Sequence, residues 1–235
     1  MATAAEAEKA VEDRGPELLW PLFINVPMHI KHLVDGGSMA RVSMRIDETG
    51  RVIDWVCLEL PHYELADAIG YALAEARFAP AMESGQPIAA DVVAAIDVGE
   101  AVKGSILSLT ASEAVQSRLL LTGFKPDELE LCAPGDLDRP LSAIERGQTF
   151  GVKDADGNIQ TGEVWVEFYV DQDGRPRMIR PEDSGRPGLE QAAFLMVEQF
   201  RFQPPRHHGV PTVVRARILV VFRSPPETGD GQSNE

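Results

Sequence analysis

A chain of 235 residues, 44% hydrophobic and 25% charged, has a globular composition with room for one large domain or two small ones. Its formal charge of −15 is concentrated in residues 1–161, which hold 26 acidic and 13 basic side chains against 8 and 9 in 162–223. That surface repels phosphate backbones and carries no basic stripe interleaved with aromatics, which argues against nucleic-acid binding.

The first residues are acidic where an export signal would be basic and then apolar, and no apolar run reaches the ~20 residues of a membrane span. The expectation is a chain without a membrane span, periplasmic if a leader has been removed and otherwise cytoplasmic, with residues 1–17 disordered or extended. His29 and His32 are three apart, a spacing that can present two imidazoles to a metal on a helix face. Pro21 and Pro27 interrupt the segment and no third ligand is evident, so no metal site is expected.

From residue 38 an internal repeat dominates the pattern. A shift of 124 residues superposes 38–98 on 162–222 without a gap. Val42, Asp47, Gly50, Arg51, Leu65, Ala68, Arg77, Phe78, Pro80, Gly85 and Pro87 recur as Val166, Asp171, Gly174, Arg175, Leu189, Ala192, Arg201, Phe202, Pro204, Gly209 and Pro211.

Each copy reads as strand, strand, helix, strand. Ala40, Val42, Met44 and Ile46 alternate with polar neighbours, as do Val164, Val166, Phe168 and Val170; a period of two marks a strand with one buried face. Asp47-Glu-Thr-Gly50 and Asp171-Gln-Asp-Gly174 supply turns, each glycine allowing a positive φ, so a second strand returns antiparallel. Leu65, Ala68, Ile69, Ala72, Leu73 and Ala76, matched by Leu189, Ala192, Ala193, Met196, Val197 and Phe200, are spaced as one apolar helix face. Pro80 and Pro204 block continuation of the helix. The last strand keeps Val92, Ala94, Ile96 and Val98, or Val214, Ala216, Ile218, Val220 and Phe222, on one face.

Between the copies the reading is a helix at 112–121 and a connector at 132–140, rich in Pro, Gly and Asp. Lys153-Asp-Ala-Asp-Gly157 reads as a turn, because a calcium loop needs more ligand oxygens at regular spacing. After Ser224 the composition is that of a disordered tail. The organisation expected is therefore 1–17, a first domain at 18–98, a connector with a short helix at 99–140, a second domain at 141–223 and a tail at 224–235. The fold class is α+β: two repeated β-β-α-β units, each an antiparallel sheet covered on one face by a helix.

The hairpin closed by Asp-x-x-Gly, the helix ending in Arg-Phe-x-Pro, the Gly-x-Pro turn and the final apolar strand resemble the C-terminal domain of the TonB energy-transducing proteins. Gly162–Phe222 is the better match and Ser38–Val98 the weaker. The resemblance implies a periplasmic protein-interaction module that contacts outer-membrane receptors through a peptide added to a sheet edge. Physically, an edge strand offers unpaired N–H and C=O groups to an extended chain. Carried over by position, the edge is the final strand, 89–98 or 213–222, with Val213, Val214, Arg215, Ala216, Arg217, Ile218, Leu219 and Val220 as the expected partner-binding residues. Within these 235 residues no membrane-spanning anchor, no long Pro-Lys or Pro-Glu spacer and no clear Tyr-Pro signature ahead of the first strand is found, so energy transduction is not among the expectations.

The two final strands differ in charge: Asp91 and Asp97 flank the first, while Arg215, Arg217 and Arg223, with Arg206 nearby, flank the second. Either the second prefers acidic or neutral peptides, or both are solvated faces that discourage aggregation. Trp55, Trp165 and Tyr169 stand opposite the apolar alternation, as a recognition patch or a packing surface, with packing preferred.

No catalytic constellation emerges. His207-His208 reads as a solvent-exposed turn, Cys57 and Cys132 as structural or unpaired thiols, and nothing resembles a nucleophile elbow, P-loop or dinucleotide fingerprint. The chain reads as non-enzymatic and cofactor-free, binding an outer-membrane receptor or other envelope protein. The alternative is a structural protein whose sheet edges pair with each other or form a homodimer.

Overall fold

The computed structural model describes residues 13–34, 38–98, 112–122 (backbone only), 131–148, 151–153 and 157–223. The first twelve residues, the connector stretches 99–111 and 123–130, residues 154–156 of the proposed turn and the tail 224–235 lie outside the described residues. Contacts divide the chain into two compact units, Met1–Cys132 with Pro211–Val213 and Ala133–Val210 with Val214–Glu235. The fold is mixed α+β: antiparallel strand pairs and, among the described residues, two α-helices.

The first unit comprises β1 (Glu17–Leu18), β2 (Leu22–Pro27), β3 (Met39–Ile46), β4 (Val52–Glu59), α1 (Leu65–Glu75), β5 (Phe78–Ala79), β6 (Ala81–Glu83), β7 (Gln86–Ile88), β8 (Ala90–Asp97) and β9 (Ser112–Thr122). Its main sheet has five strands in the order β2-β9-β8-β3-β4. Leu65, Ile69 and Leu73 of α1 pack into a core with Ile24, Val42, Met44, Ile46, Phe78, Ala94 and Ile96. Each large apolar side chain buried there contributes about 1.5–3 kcal/mol.

At the tip of the β3–β4 hairpin, Asp47 Oδ1 accepts the backbone N–H of Thr49 and of Arg51, both at 2.9 Å. Gly50 sits at φ +79°, and a Cβ there would stand 1.8 Å from the carbonyl oxygen of Phe78. Only glycine permits that approach, which lets Phe78 donate its N–H to Gly50 O at 2.9 Å. The helix stops well before Pro80: Arg77 Nη1 donates to the carbonyl of Ala76 at 2.6 Å, satisfying one of the last helical acceptors.

Trp55 does not stand on the face away from the helix, as its place in the alternation suggested. The β3–β4 register pairs Arg45 with Asp54 and Ile46 with Val52, leaving Ile53 as the extra residue of a bulge. Each bulge reverses the in–out phase. Val52 and Trp55 therefore both pack on the core, while Ile53 between them is 59% exposed. The indole lies against Gly70 of α1, where a Cβ would meet its ring at 2.2 Å.

The segment expected as a helix at 112–121 is strand β9. It pairs antiparallel with β2 on one side, Leu22 opposite Ser117, and with β8 on the other, Ala95 opposite Leu120. Two open strand flanks satisfy its backbone, a long-range pairing that overrides local helical preference. It follows that β8 is interior to its sheet, so the expectation of a binding edge at 89–98 fails.

The second unit comprises β10 (Ala143–Glu145), β11 (Gly162–Val170), β12 (Pro176–Pro181), α2 (Pro187–Glu198), β13 (Arg201–Phe202), β14 (Arg206–His207), β15 (Val210–Pro211) and β16 (Val214–Phe222). Its main sheet has three strands, β12-β11-β16. Leu189, Ala193 and Val197 of α2 pack on Val164, Val166, Phe168 and Val170, with Phe202, Val214 and Val220 completing the core. The hairpin tip uses the same chemistry: Asp171 Oδ1 accepts from Asp173 N at 3.0 Å and Arg175 N at 2.8 Å, with Gly174 at φ +81°.

Candidate functional site

In the described residues β16 forms one side of the three-stranded sheet, its ladder neighbour being β11, in register from Gly162 opposite Phe222 to Val170 opposite Val214. This places Val214, Arg215, Ala216, Arg217, Ile218, Leu219 and Val220 on an outer strand; Val213 precedes it. Toward α2 the strand presents Val214, Val220 and Phe222, all buried, with Ala216 and Ile218 half-buried against the core. Away from α2 it presents Arg215, Arg217, Leu219 and Val221, all exposed.

The arginines do not form an open cationic edge. Arg215 Nη2 lies 2.9 Å from Glu167 Oε2, and Arg217 is paired with Glu182 and lies 4.0 Å from Glu167 Oε1. The Arg217 guanidinium also sits over the Trp165 ring, 4.3 Å from its centroid. These two arginines and two glutamates offset one another, and pairs this exposed contribute about 0–1 kcal/mol each. In the first unit Asp91 is likewise held, by Arg45 directly across the ladder at 2.8 and 3.0 Å.

Of the three singled-out aromatics, Trp165 is 41% exposed and Tyr169 is buried. Trp165 therefore joins Leu219 and Val221 in an apolar patch along the outer face of β11 and β16.

A role the sequence reading missed belongs to Asp138. Its carboxylate accepts the backbone N–H of His208 at 2.8 Å and of Gly209 at 2.7 Å, and its own N–H donates to Arg206 O at 2.9 Å. The Gly209 amide bond holds the carboxyl below its ordinary range. The turn it grips has His208 at φ +51° and Gly209 at +78°. The first unit has a counterpart, since Ser84 donates its backbone N–H to Asp13 at 2.8 Å and Ser84 precedes His208 by the repeat of 124; the sequence did not mark it, because Asp13 and Asp138 are 125 apart and lie outside the ungapped repeat.

Beside this turn, Leu137, Arg139, Leu141, Ile144, Pro204 and Pro205 line much of an open groove of about 640 Å³. His207 Nδ1 lies 2.8 Å from Asp136 O. His29 is bonded to Glu64, and His32 sits in the 3₁₀ turn Lys31–Leu33, so the two do not share an α-helical face. No disulfide joins Cys57 and Cys132. No helix among the described residues is long and apolar enough to cross a membrane.

Comparison with known proteins is confined to one region. No curated protein and no solved structure matches the chain. Residues 153–224, which contain β11, β12, α2 and the whole of β16, match the family model of the Gram-negative bacterial TonB protein C-terminal.

Proposed function

We propose that this chain is a non-enzymatic protein-interaction protein of the bacterial cell envelope that takes extended segments of partner proteins onto β16 by strand addition. The carrying observation is that β16 is an outer strand of the sheet in the segment that matches the TonB C-terminal model. An outer strand offers main-chain donors and acceptors to any extended chain, and alternate side-chain positions supply selectivity. The periplasm is the corresponding compartment, and an outer-membrane receptor or another envelope protein the corresponding partner.

The first unit is read as a second, diverged copy. Met39–Ile46 and Gly162–Val170 pair with their final strands in one register: Ile46 opposite Ala90 and Ala40 opposite Ile96, against Val170 opposite Val214 and Val164 opposite Val220. The turn aspartate, the turn glycine, the Phe–Gly backbone bond and the helix-ending arginine recur at the same shift.

Fluorescence anisotropy of labelled extended segments from the periplasmic N-termini of outer-membrane receptors, titrated with the full chain, tests the reading. Saturable binding by a chain of unchanged molar mass supports it. A stable dimer by light scattering that binds none of the segments supports edge-to-edge self-association instead, a reading favoured by the exposed Trp165, Leu219 and Val221.

A further inference from the structure

Two segments of the second unit run antiparallel and part between two ties. At one end the Asp138 N–H donates to Arg206 O, and at the other the Gln203 N–H donates to Ser142 O, each at 2.9 Å. Beyond Ser142 the pairing continues, with Ala143 opposite Phe202. Between the ties Arg139-Pro140-Leu141 faces Pro204-Pro205, and three of these five residues are prolines without an N–H. No ladder closes there. The groove of about 640 Å³ is that gap, and its volume is in the range of ligand sites.

Its lining combines an apolar surface with positive charge that nothing offsets. Leu137 and Leu141 pack on the core of this unit, Pro205 is buried, and Ile144 is 63% exposed. The Asp138 carboxylate is occupied, one oxygen by the His208 N–H and the other by the Gly209 N–H. Arg206 commits Nη1 to Gly209 O at 2.8 Å. Arg139 makes no hydrogen bond or ion pair among the described residues, and the backbone of Leu141 is likewise unbonded among them. Gln203 adds a side-chain amide that both donates and accepts.

We infer that this groove binds the C-terminal end of a partner polypeptide, with the terminal carboxylate on Arg139 and an aliphatic or aromatic last side chain against Leu137, Leu141 and Pro205. A guanidinium holds a carboxylate through two parallel N–H···O bonds, and a chain terminus joins that anion to an apolar side chain. The main-chain N–H and C=O of the last residues match the Gln203 amide and the unbonded backbone at Arg139 and Leu141. A fatty acid brings the carboxylate and the apolar body but nothing for those polar groups. The site uses no residue of β16, so it holds or fails independently of strand addition there.

The probe is an acetylated tetrapeptide ending in leucine with a free carboxylate, titrated into the ¹⁵N-labelled full chain, with the C-terminal amide of the same peptide as control. The free acid is expected to shift the amides of Arg139, Leu141, Gln203 and Arg206, to leave those of β16 in place, and to bind about tenfold tighter than the amide. Arg139→Ala removes that preference, while Arg139→Lys, which keeps the charge without the fork, restores part of it. Both variants keep the spectrum of the unliganded fold, since Arg139 is exposed and bonded to nothing among the described residues. Equal binding of acid and amide overturns the carboxylate's role. Shifts confined to β16 overturn the site and leave strand addition standing. Octanoate binding the same residues more tightly than the peptide overturns the polypeptide as occupant. Absence of any shift at millimolar peptide overturns the inference altogether.

Discussion

Phe202 donates its backbone N–H to the carbonyl of Gly174 at 2.8 Å, tying the chain that leaves α2 to the tip of the β11–β12 hairpin. The bond needs a glycine: a Cβ at Gly174 would stand 2.1 Å from Phe202 O, and its φ is +81°. Gly174→Ala is expected to cost about 2–4 kcal/mol, combining left-handed strain with a backbone clash. Gly209 shares the positive φ but has nothing within 4 Å of its Cβ position. Gly209→Ala should therefore cost only about 1–2 kcal/mol. Urea denaturation of the two variants checks the ranking; equal losses would show that strain alone, and not the Phe202 approach, sets the requirement.

The contact between Gly70 and Trp55 sets two effects against each other. Alanine at position 70 gains about 1 kcal/mol of helix propensity. Its methyl, however, would meet the indole at 2.2 Å, and overpacking of this kind costs about 1–3 kcal/mol. Gly70→Ala is expected to be destabilising by about 1 kcal/mol, with a red shift of the Trp55 emission. A stabilised variant would place the indole elsewhere than under α1.

Acid should loosen the turn at His208–Gly209. The Asp138 carboxyl is held low by the Gly209 and His208 amides, so its folded pKa lies below its unfolded value, near the ordinary ~3.9 of aspartate. The stabilisation is present above that value and is lost as pH falls through the lower folded one. Asp47 and Glu190 are depressed in the same way, Asp47 by Thr49 and Glu190 by Ser184. Thermal midpoints measured from pH 6 down to pH 2 should fall below about pH 4, and Asp138→Asn should make that fall shallower. An unchanged slope in the variant would mean that the carboxylate bonds do not contribute.

How much of this was legible from the sequence differs from feature to feature. The hairpins and helices were readable because period-two and helical spacing follow from burial of one face, and Asp-x-x-Gly reports a local turn. Strand β9 was not, because its pairing with β2 and β8 is non-local and Ser112–Thr122 carries no alternation of its own. Trp55 was placed on the wrong face because an extra residue, Ile53, reverses the phase of the residues from Asp54 to Cys57, and nothing in the sequence marks that bulge. The pairing of Arg215 and Arg217 was not readable because Glu167 and Glu182, which face them, come from a neighbouring strand and from the loop after β12.

That neutralisation can be undone. Replacing Glu167 and Glu182 together by Gln removes two carboxylates that face Arg215 and Arg217. The double variant is expected to gain affinity for acidic extended peptides, by about three- to tenfold at low salt, with the gain disappearing at high salt. Isothermal titration at two ionic strengths measures it. Tight binding of acidic peptides by the unmodified chain would contradict the pairing.

Amide hydrogen exchange on the full chain, with and without a receptor-derived extended segment, tests the central claim most directly. The account predicts that the segment adds protection within Val214–Phe222 while Ala90–Asp97, already enclosed by β3 and β9, is unchanged. Protection appearing elsewhere with β16 unaltered would contradict it.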